Sequence, residues 1–374
     1  MIARKLIGLF LFATSMVGHA ADLRVAQVSP ASGPLGPNGV ANYVGAKAYF
    51  DQVNASGGIH GQRIKFLHED DQYKPDETLR LLELVAQRDK PLVFINALGS
   101  ANVGAVLKAK TAEKLAIPIV GVTPGSEALR NPGSNWIFHI HAGDHAQLRR
   151  IVTHLATLGI NRIAVVYQDL PFGVSGLAYT EELAPKHRVT LVGKISVKPG
   201  ADDLQAVAKS ARDSGAQAYV MILAPNSGIA FVRDARGGGD LTPMYSLSYV
   251  PVGGLLDKVP TNSAAGIGIA QVTPNVYSNN TGLIREFHTT MDNFAPQGSN
   301  HSQLHLVGYM SARVTVEALR RAGPNATPER VAGALRQMRI DMGGYIVDFT
   351  GNSNNVASSF VDIGVVTRTG RLIY

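Results

Sequence analysis

Residues 23–38, LRVAQVSPASGPLGPN, carry the pattern that decides the fold. Leu23 to Val28 is a short apolar-rich run and reads as a strand. Ser29 to Pro37 is a Gly/Pro loop that regular structure cannot hold. Asn38 then reads as the cap of a helix. Its apolar stripe is Val40, Tyr43, Ala46, Phe50 and Val53, spaced three or four residues apart, and Gly57-Gly58 end it. Strand, loop and helix in this order make one unit of a parallel sheet.

The unit recurs on both sides of the chain's middle. Strand-like runs at 63–69, 91–96, 117–122 and 136–140 alternate with helical patterns at 76–89 and 100–115. Asp144-x-x-Gln147 reads as a capping box that opens a helix to Leu158. A second series has strands at 162–167, 189–195, 218–223 and 243–247, with helices near 171–184, 202–214 and 227–236. An apolar strand at 265–272 is followed by helices near 283–294, 301–322 and 328–339, and the tail 345–374 reads as short strands. This is an α/β chain in two lobes, with the backbone crossing between them more than once. The expected division is 21–141 plus 273–344 for the N-terminal lobe, and 142–272 plus 345–374 for the C-terminal lobe.

Composition narrows the chemistry. With 374 residues, 45% apolar and 17% charged, the chain is a packed protein of two or three domains' length. It has no cysteine, which excludes disulfides, thiolate metal sites, a cysteine nucleophile and a lipid anchor on Cys. The N-terminus reads as an export signal at 1–20. Arg4 and Lys5 precede an apolar run from Leu6 to Val17, and Gly18-His19-Ala20 gives small residues before a cut at Ala20|Ala21. Cleavage leaves residues 21–374 and lowers the formal charge of +7 by two. Without a basic run or an aromatic-interleaved basic stripe, nucleic acid is not an expected partner. The expected location is a bacterial periplasm, with the chain free after cleavage and not inserted in the membrane.

Ligands in open α/β sheets bind at the carboxyl ends of strands. The loops there hold Asn38, then Gly99 and Ser100, then Gly125, Ser126 and Glu127. In the second series they hold Phe172-Gly173, Asn226 and Tyr249. Gly99 allows close backbone approach, and Ser100 offers a hydroxyl and a helix start suited to a carboxylate. The sequence has no GxSxG, no P-loop, no GxGxxG after a strand and no HExxH. His139, His141 and His145, and the pair His301 and His305, are expected to face solvent or cap loops, and no metal or cofactor is expected. Asp70-Asp71 is expected to serve a turn.

At these loops the chain resembles the leucine/isoleucine/valine-type periplasmic solute-binding proteins of ABC transporters. The carriers are SGPLG (Ser32–Gly36), VNASGGIHG (Val53–Gly61), EDDQYKPDET (Glu69–Thr78) and GVTPGSEALRNP (Gly121–Pro132). The resemblance spans essentially the whole mature chain. It implies two Rossmann-like lobes, three crossovers, and a ligand held in the cleft by hinge closure. It also implies a small-molecule ligand, an inner-membrane ABC permease as partner, a monomer and no enzymatic activity.

Carried over by position, the family's first-lobe contacts fall at Ser100 and at Gly125 to Glu127, with Glu127 where amino acid binders have Thr. An aromatic of the first loop is replaced by Asn38. In the second lobe Phe172 matches a cleft aromatic, and the acid that pairs with an α-ammonium is replaced by Tyr249 or a neighbour. A small carboxylate or amide is therefore expected, packed by Phe172, Tyr249 and Tyr73, while Glu127 keeps an amino ligand open. Truncation of Phe172 is expected to weaken binding with little loss of stability. A sensor module of the same fold and a secreted hydrolase are the alternatives.

Overall fold

The computed structural model describes residues 22–123, 126–299, 301–351 and 355–374. The expected export signal at 1–20 and Gly125 lie outside the described residues.

The first five strands are β1 (Leu23–Ser29), β2 (Ile64–Asp70), β3 (Val93–Ile95), β4 (Ile119–Val120) and β5 (Ile137–Phe138). They form one parallel sheet in the order β2-β1-β3-β4-β5. The next five are β6 (Arg162–Gln168), β7 (Thr190–Val197), β8 (Ala218–Ile222), β9 (Met244–Ser246) and β10 (Gly268–Gln271). A hairpin follows, β11 (Arg339–Asp341) with β12 (Ile346–Asp348). The chain closes with β13 (Asp362–Val366) and β14 (Leu372–Ile373). The second sheet runs β14-β13-β10-β9-β8-β6-β7, parallel except where β13 meets β10 and β14.

Both sheets are covered on both faces, which explains their continuous apolar runs. Neighbouring residues on one strand serve opposite cores, as the period of two demands. Val25 and Ile95 face a core built with the helices Gly36–Ala55, Gly282–Phe294 and Gln303–Ala322. Ala26 and Phe94 face the helices Pro75–Asp89 and Ser100–Ala109. In the second sheet Val166 and Met221 face one core, Val165 and Val220 the other.

Three stretches carry the chain between the sheets: 139–143, 272–281 and 349–361. They are tied together. His139 N donates to Asn355 O and Ala357 N donates to His139 O, both at 2.8 Å, so the first and third stretches pair. The Tyr345 hydroxyl reaches the carbonyls of Ile140 and Val272. The third return comes later than residue 345, because Tyr345, Val347 and Phe349 pack in the core under the first sheet.

Two sequence expectations about helix starts differ from what is found. The first helix begins at Gly36 with Leu35 as its cap residue and a proline in its first turn, so Asn38 is an interior helical residue and not the cap. The helix Asp144–Thr157 is capped at Gly143, so Asp144 is not its cap either. Both side chains are freed for tertiary contacts. The histidines also depart from expectation: His139 and His141 are buried, and His145 stacks on Tyr179 at 3.5 Å between ring centroids.

Candidate functional site

The loops at the carboxyl ends of both sheets face each other across a narrow pocket. The first lobe contributes Asn38 and Asn42 from its first helix, Leu98 after β3, and Thr123 after β4. The helix Gln303–Ala322 adds Leu304 and Val307. The second lobe contributes Asp144, Gln147, Ser248 and Tyr249; Arg130 comes from the loop before β5, and His141 and Ala142 from the first crossing. A narrower extension is lined by Leu35, Gly99, Ser100 and Phe172.

The lobes touch around this space. Leu35, Tyr73 and Leu98 share one apolar cluster with Phe172 and Tyr249. Phe172 meets Tyr249 edge to face, 5.5 Å between centroids, a geometry that ring quadrupoles favour. Ser175 Oγ donates across the cleft to Ser126 Oγ at 3.1 Å. Ser126 N in turn donates to Ser100 Oγ at 2.9 Å, so that backbone donor is already engaged. Gly99 sits at φ +91°, and a Cβ there would lie 2.1 Å from Tyr73 Cε2. Tyr73 therefore backs the loop and does not line the cavity.

Arg130 is 1% exposed, its guanidinium held where Nη1 donates to His141 O at 2.9 Å. The 3₁₀ turn Glu127–Leu129 sets it there, Arg130 N donating to Glu127 O at 2.8 Å. A Cβ on Gly143 would stand 2.5 Å from Glu127 Oε2 and 2.7 Å from Arg130 Nε. Only glycine lets these two groups close on the crossing. Burial disfavours the Arg130 charge, and the nearby Glu127 and Asp144 carboxyls oppose that effect.

Asp144 Oδ1 accepts from the Tyr249 hydroxyl at 2.5 Å. Burial pushes the Asp144 carboxyl up to about 8, against the Tyr249 hydrogen bond and the Arg130 charge. Burial also raises the Tyr249 phenol well above its ordinary value, and the adjoining Asp144 adds to that. His141 is pushed down to about 4 by burial and by Arg130, and its Nε2 lies 3.2 Å from Thr123 Oγ1. Gln147 Oε1 accepts from Ser248 N at 2.9 Å.

Of the residues singled out in the sequence, Asn38, Gly99, Ser100, Phe172 and Tyr249 line the space. Ser126 bridges to the second lobe, and Glu127 lies behind Arg130 against Gly143. Asn226 is exposed in the helix Pro225–Gly237 and is not among the lining residues. Arg130, His141 and Asp144 were not anticipated as lining residues. The signal available for Arg130 was an arginine inside GVTPGSEALRNP, which reads locally as turn sequence. Asp70 and Asp71 serve turns as expected: Asp70 Oδ1 accepts from Ala31 N and Gln72 N, and Asp71 from Tyr73 N and Thr78 Oγ1. Among the described residues no group of three or more His, Asp or Glu side chains is placed to hold a metal ion.

Two α/β lobes, three crossings and a polar cavity between facing loops agree with what comparison finds. A structure of an extracellular ligand-binding receptor from Verminephrobacter eiseniae ef01-2 matches with a TM-score of 0.88 and 32% identity, over 94% of this chain and 100% of that one. A substrate-binding periplasmic protein from Ralstonia solanacearum matches with a TM-score of 0.89 and 29% identity, over 94% and 99%. The Leu/Ile/Val-binding protein homolog 8 of Brucella suis biovar 1 (strain 1330) is 23% identical over 98% of this chain and 93% of its own length. The family profile described as periplasmic binding protein matches residues 22–370, and with that span the chain belongs to the periplasmic binding protein family.

Proposed function

We propose that this chain is the solute-binding component of an ABC importer. Residues 1–20 direct its export and are removed, leaving a periplasmic carrier. It captures a small polar organic molecule, a carboxylate, amide or amino acid-like compound, without turning it over. The lobes act as two bodies that open and close on the three crossings, and the closed form docks on an inner-membrane permease. No helix among the described residues is long and apolar enough to cross a membrane.

The observation that carries this reading is a cavity walled by both lobes, in which buried polar atoms have no protein partner. Asn38 Oδ1, Asn42 Oδ1 and Asp144 Oδ2, on residues that line it, are in this state. Buried polar groups are ordinarily paired, so a ligand with matching groups is the natural complement. Contacts from both lobes to one ligand favour closure.

Small-angle scattering with and without a stabilising solute tests closure. Ligand-induced contraction with no chemical change in the solute supports the proposal. Conversion of the solute by the purified protein, or binding with no change in dimensions, would count against it.

A further inference from the structure

One turn of the first lobe grips the end of the first crossing. Glu127 and Arg130 stand three residues apart on a 3₁₀ turn, a spacing at which side chains eclipse and point the same way. Arg130 Nη1 donates to His141 O at 2.9 Å. Two residues further on, the place that a Cβ of Gly143 would take lies 2.5 Å from Glu127 Oε2, 2.7 Å from Arg130 Nε and 3.0 Å from Arg130 Cδ. Close-packed atoms do not approach a Cβ so nearly, so both side chains close on bare backbone.

Gly143 has φ −87° and ψ −178°, extended backbone that alanine adopts without strain. Its neighbours, and not its own conformation, require glycine there. Gly143 also caps the helix Asp144–Thr157, so the first lobe holds the point from which the second lobe's first helix starts. Arg130 is 1% exposed and lines the pocket between the lobes. One side chain therefore touches the pocket and the crossing together. Burial disfavours the Arg130 charge, and Glu127 is foremost among the charges that oppose this, which keeps the two side chains side by side.

We propose that Glu127 and Arg130 form a clamp that sets the angle of the first crossing: from the first lobe they hold Gly143, the root of the second lobe's first helix, and so keep the lobes together. Opening turns that helix against the first lobe and has to draw Gly143 out of the clamp. Because Arg130 also walls the pocket, a solute bound there braces one side of it. The inference rests on the reading of two lobes that open and close, and it gives Glu127 a part in closure in place of a ligand contact.

The chain has no cysteine, so Lys108→Cys and Lys209→Cys, exposed on helices of the first and second lobe, take a spin-label pair on the full chain. Double electron–electron resonance then reads lobe separation with no solute present. Gly143→Ala should raise the ratio of open to closed population on the order of tenfold, the scale of one overpacked methyl group. Glu127→Ala removes one side of the clamp, and adding Gly143→Ala in that background should shift the ratio much less. The difference measures the coupling of the two residues. Losing glycine at a helix cap lowers the melting temperature by itself, but that effect leaves lobe separation alone and is equal in both backgrounds. Should Gly143→Ala fail to fold by circular dichroism, the broader separation expected of Glu127→Ala decides. Wild-type separation in Gly143→Ala, an equal shift with and without the Glu127 side chain, or an unbroadened Glu127→Ala overturns the clamp. Contraction of the wild type on adding solute, read by scattering, keeps such a failure apart from failure of the closure reading.

Discussion

The Tyr345 hydroxyl lies 3.0 Å from Ile140 O and 3.3 Å from Val272 O, so one side chain on the first lobe's hairpin edge clasps two of the three crossings. Its ring is buried in the first core. Tyr345→Phe keeps the packing and removes the clasp. Stability should fall by about 1 kcal/mol, the net worth of one buried hydrogen bond. The ligand-free protein should also sample a broader spread of lobe separations, read by scattering. An unchanged spread would show that the clasp does not restrain the hinge.

The Ser175–Ser126 hydrogen bond exists only while the lobes are together. Ser175→Ala should weaken solute affinity roughly two- to tenfold, as expected for a neutral hydrogen bond. The melting temperature of the ligand-free protein should barely move. Equal loss in both measurements would mean that the contact serves folding and not closure.

Gly99 combines a left-handed backbone with close approach of the Tyr73 ring. Gly99→Ala should cost about 1–3 kcal/mol through overpacking and backbone strain together. Chemical denaturation measures this. A neutral outcome would require the Tyr73 ring to swing away from the loop.

Phe172 is 3% exposed and packs on Tyr249 within the second core, so Phe172→Ala should reduce stability as well as affinity. The cost should be on the order of 3–5 kcal/mol. This revises the expectation, from sequence, of a purely functional residue. Denaturation midpoint and calorimetry on the same sample separate the two losses.

His305 is pushed down to about 4 by burial, with a smaller contribution from His301. A histidine with a depressed folded-state value binds its proton more tightly when unfolded. Its neutral form therefore contributes stability above the unfolded value of about 6.5, and that is lost as pH falls toward 4. Asp71 and Asp144 are raised, to about 6 and about 8, mainly by burial, and act in the opposite sense: acidification relieves the cost of holding them ionised. Wild type should lose stability relative to His305→Gln between pH 6.5 and 4, on the order of 1–3 kcal/mol. Parallel pH profiles for the two proteins would remove His305 from the titration.

Much of the architecture was legible because parallel strands covered on both faces leave uninterrupted apolar runs, such as Ile163–Val166 and Ala218–Ile222. The loops after those strands were legible for the same reason, and they do hold Asn38, Ser100, Phe172 and Tyr249 at the cavity. What escaped was anything that depends on closure of two distant segments. Asp144-x-x-Gln147 satisfies a local capping pattern, yet Asp144 turns to Tyr249, 105 positions away. Asn38 looked like a cap because a proline just before it hides a helix that starts two residues earlier. Arg130 sits in turn-like sequence, and nothing local shows that folding buries it against His141.

The way β13 pairs with β10 has a practical consequence for cutting the chain. Neither lobe is a contiguous piece of sequence. A fragment ending before residue 362 keeps the helices of the first lobe but strips the antiparallel edge from the second sheet. That leaves the β10 ladder open, and an uncovered ladder is a template for another chain. Conversely, a single backbone nick in one crossing frees neither lobe, since two other crossings still tie the halves together.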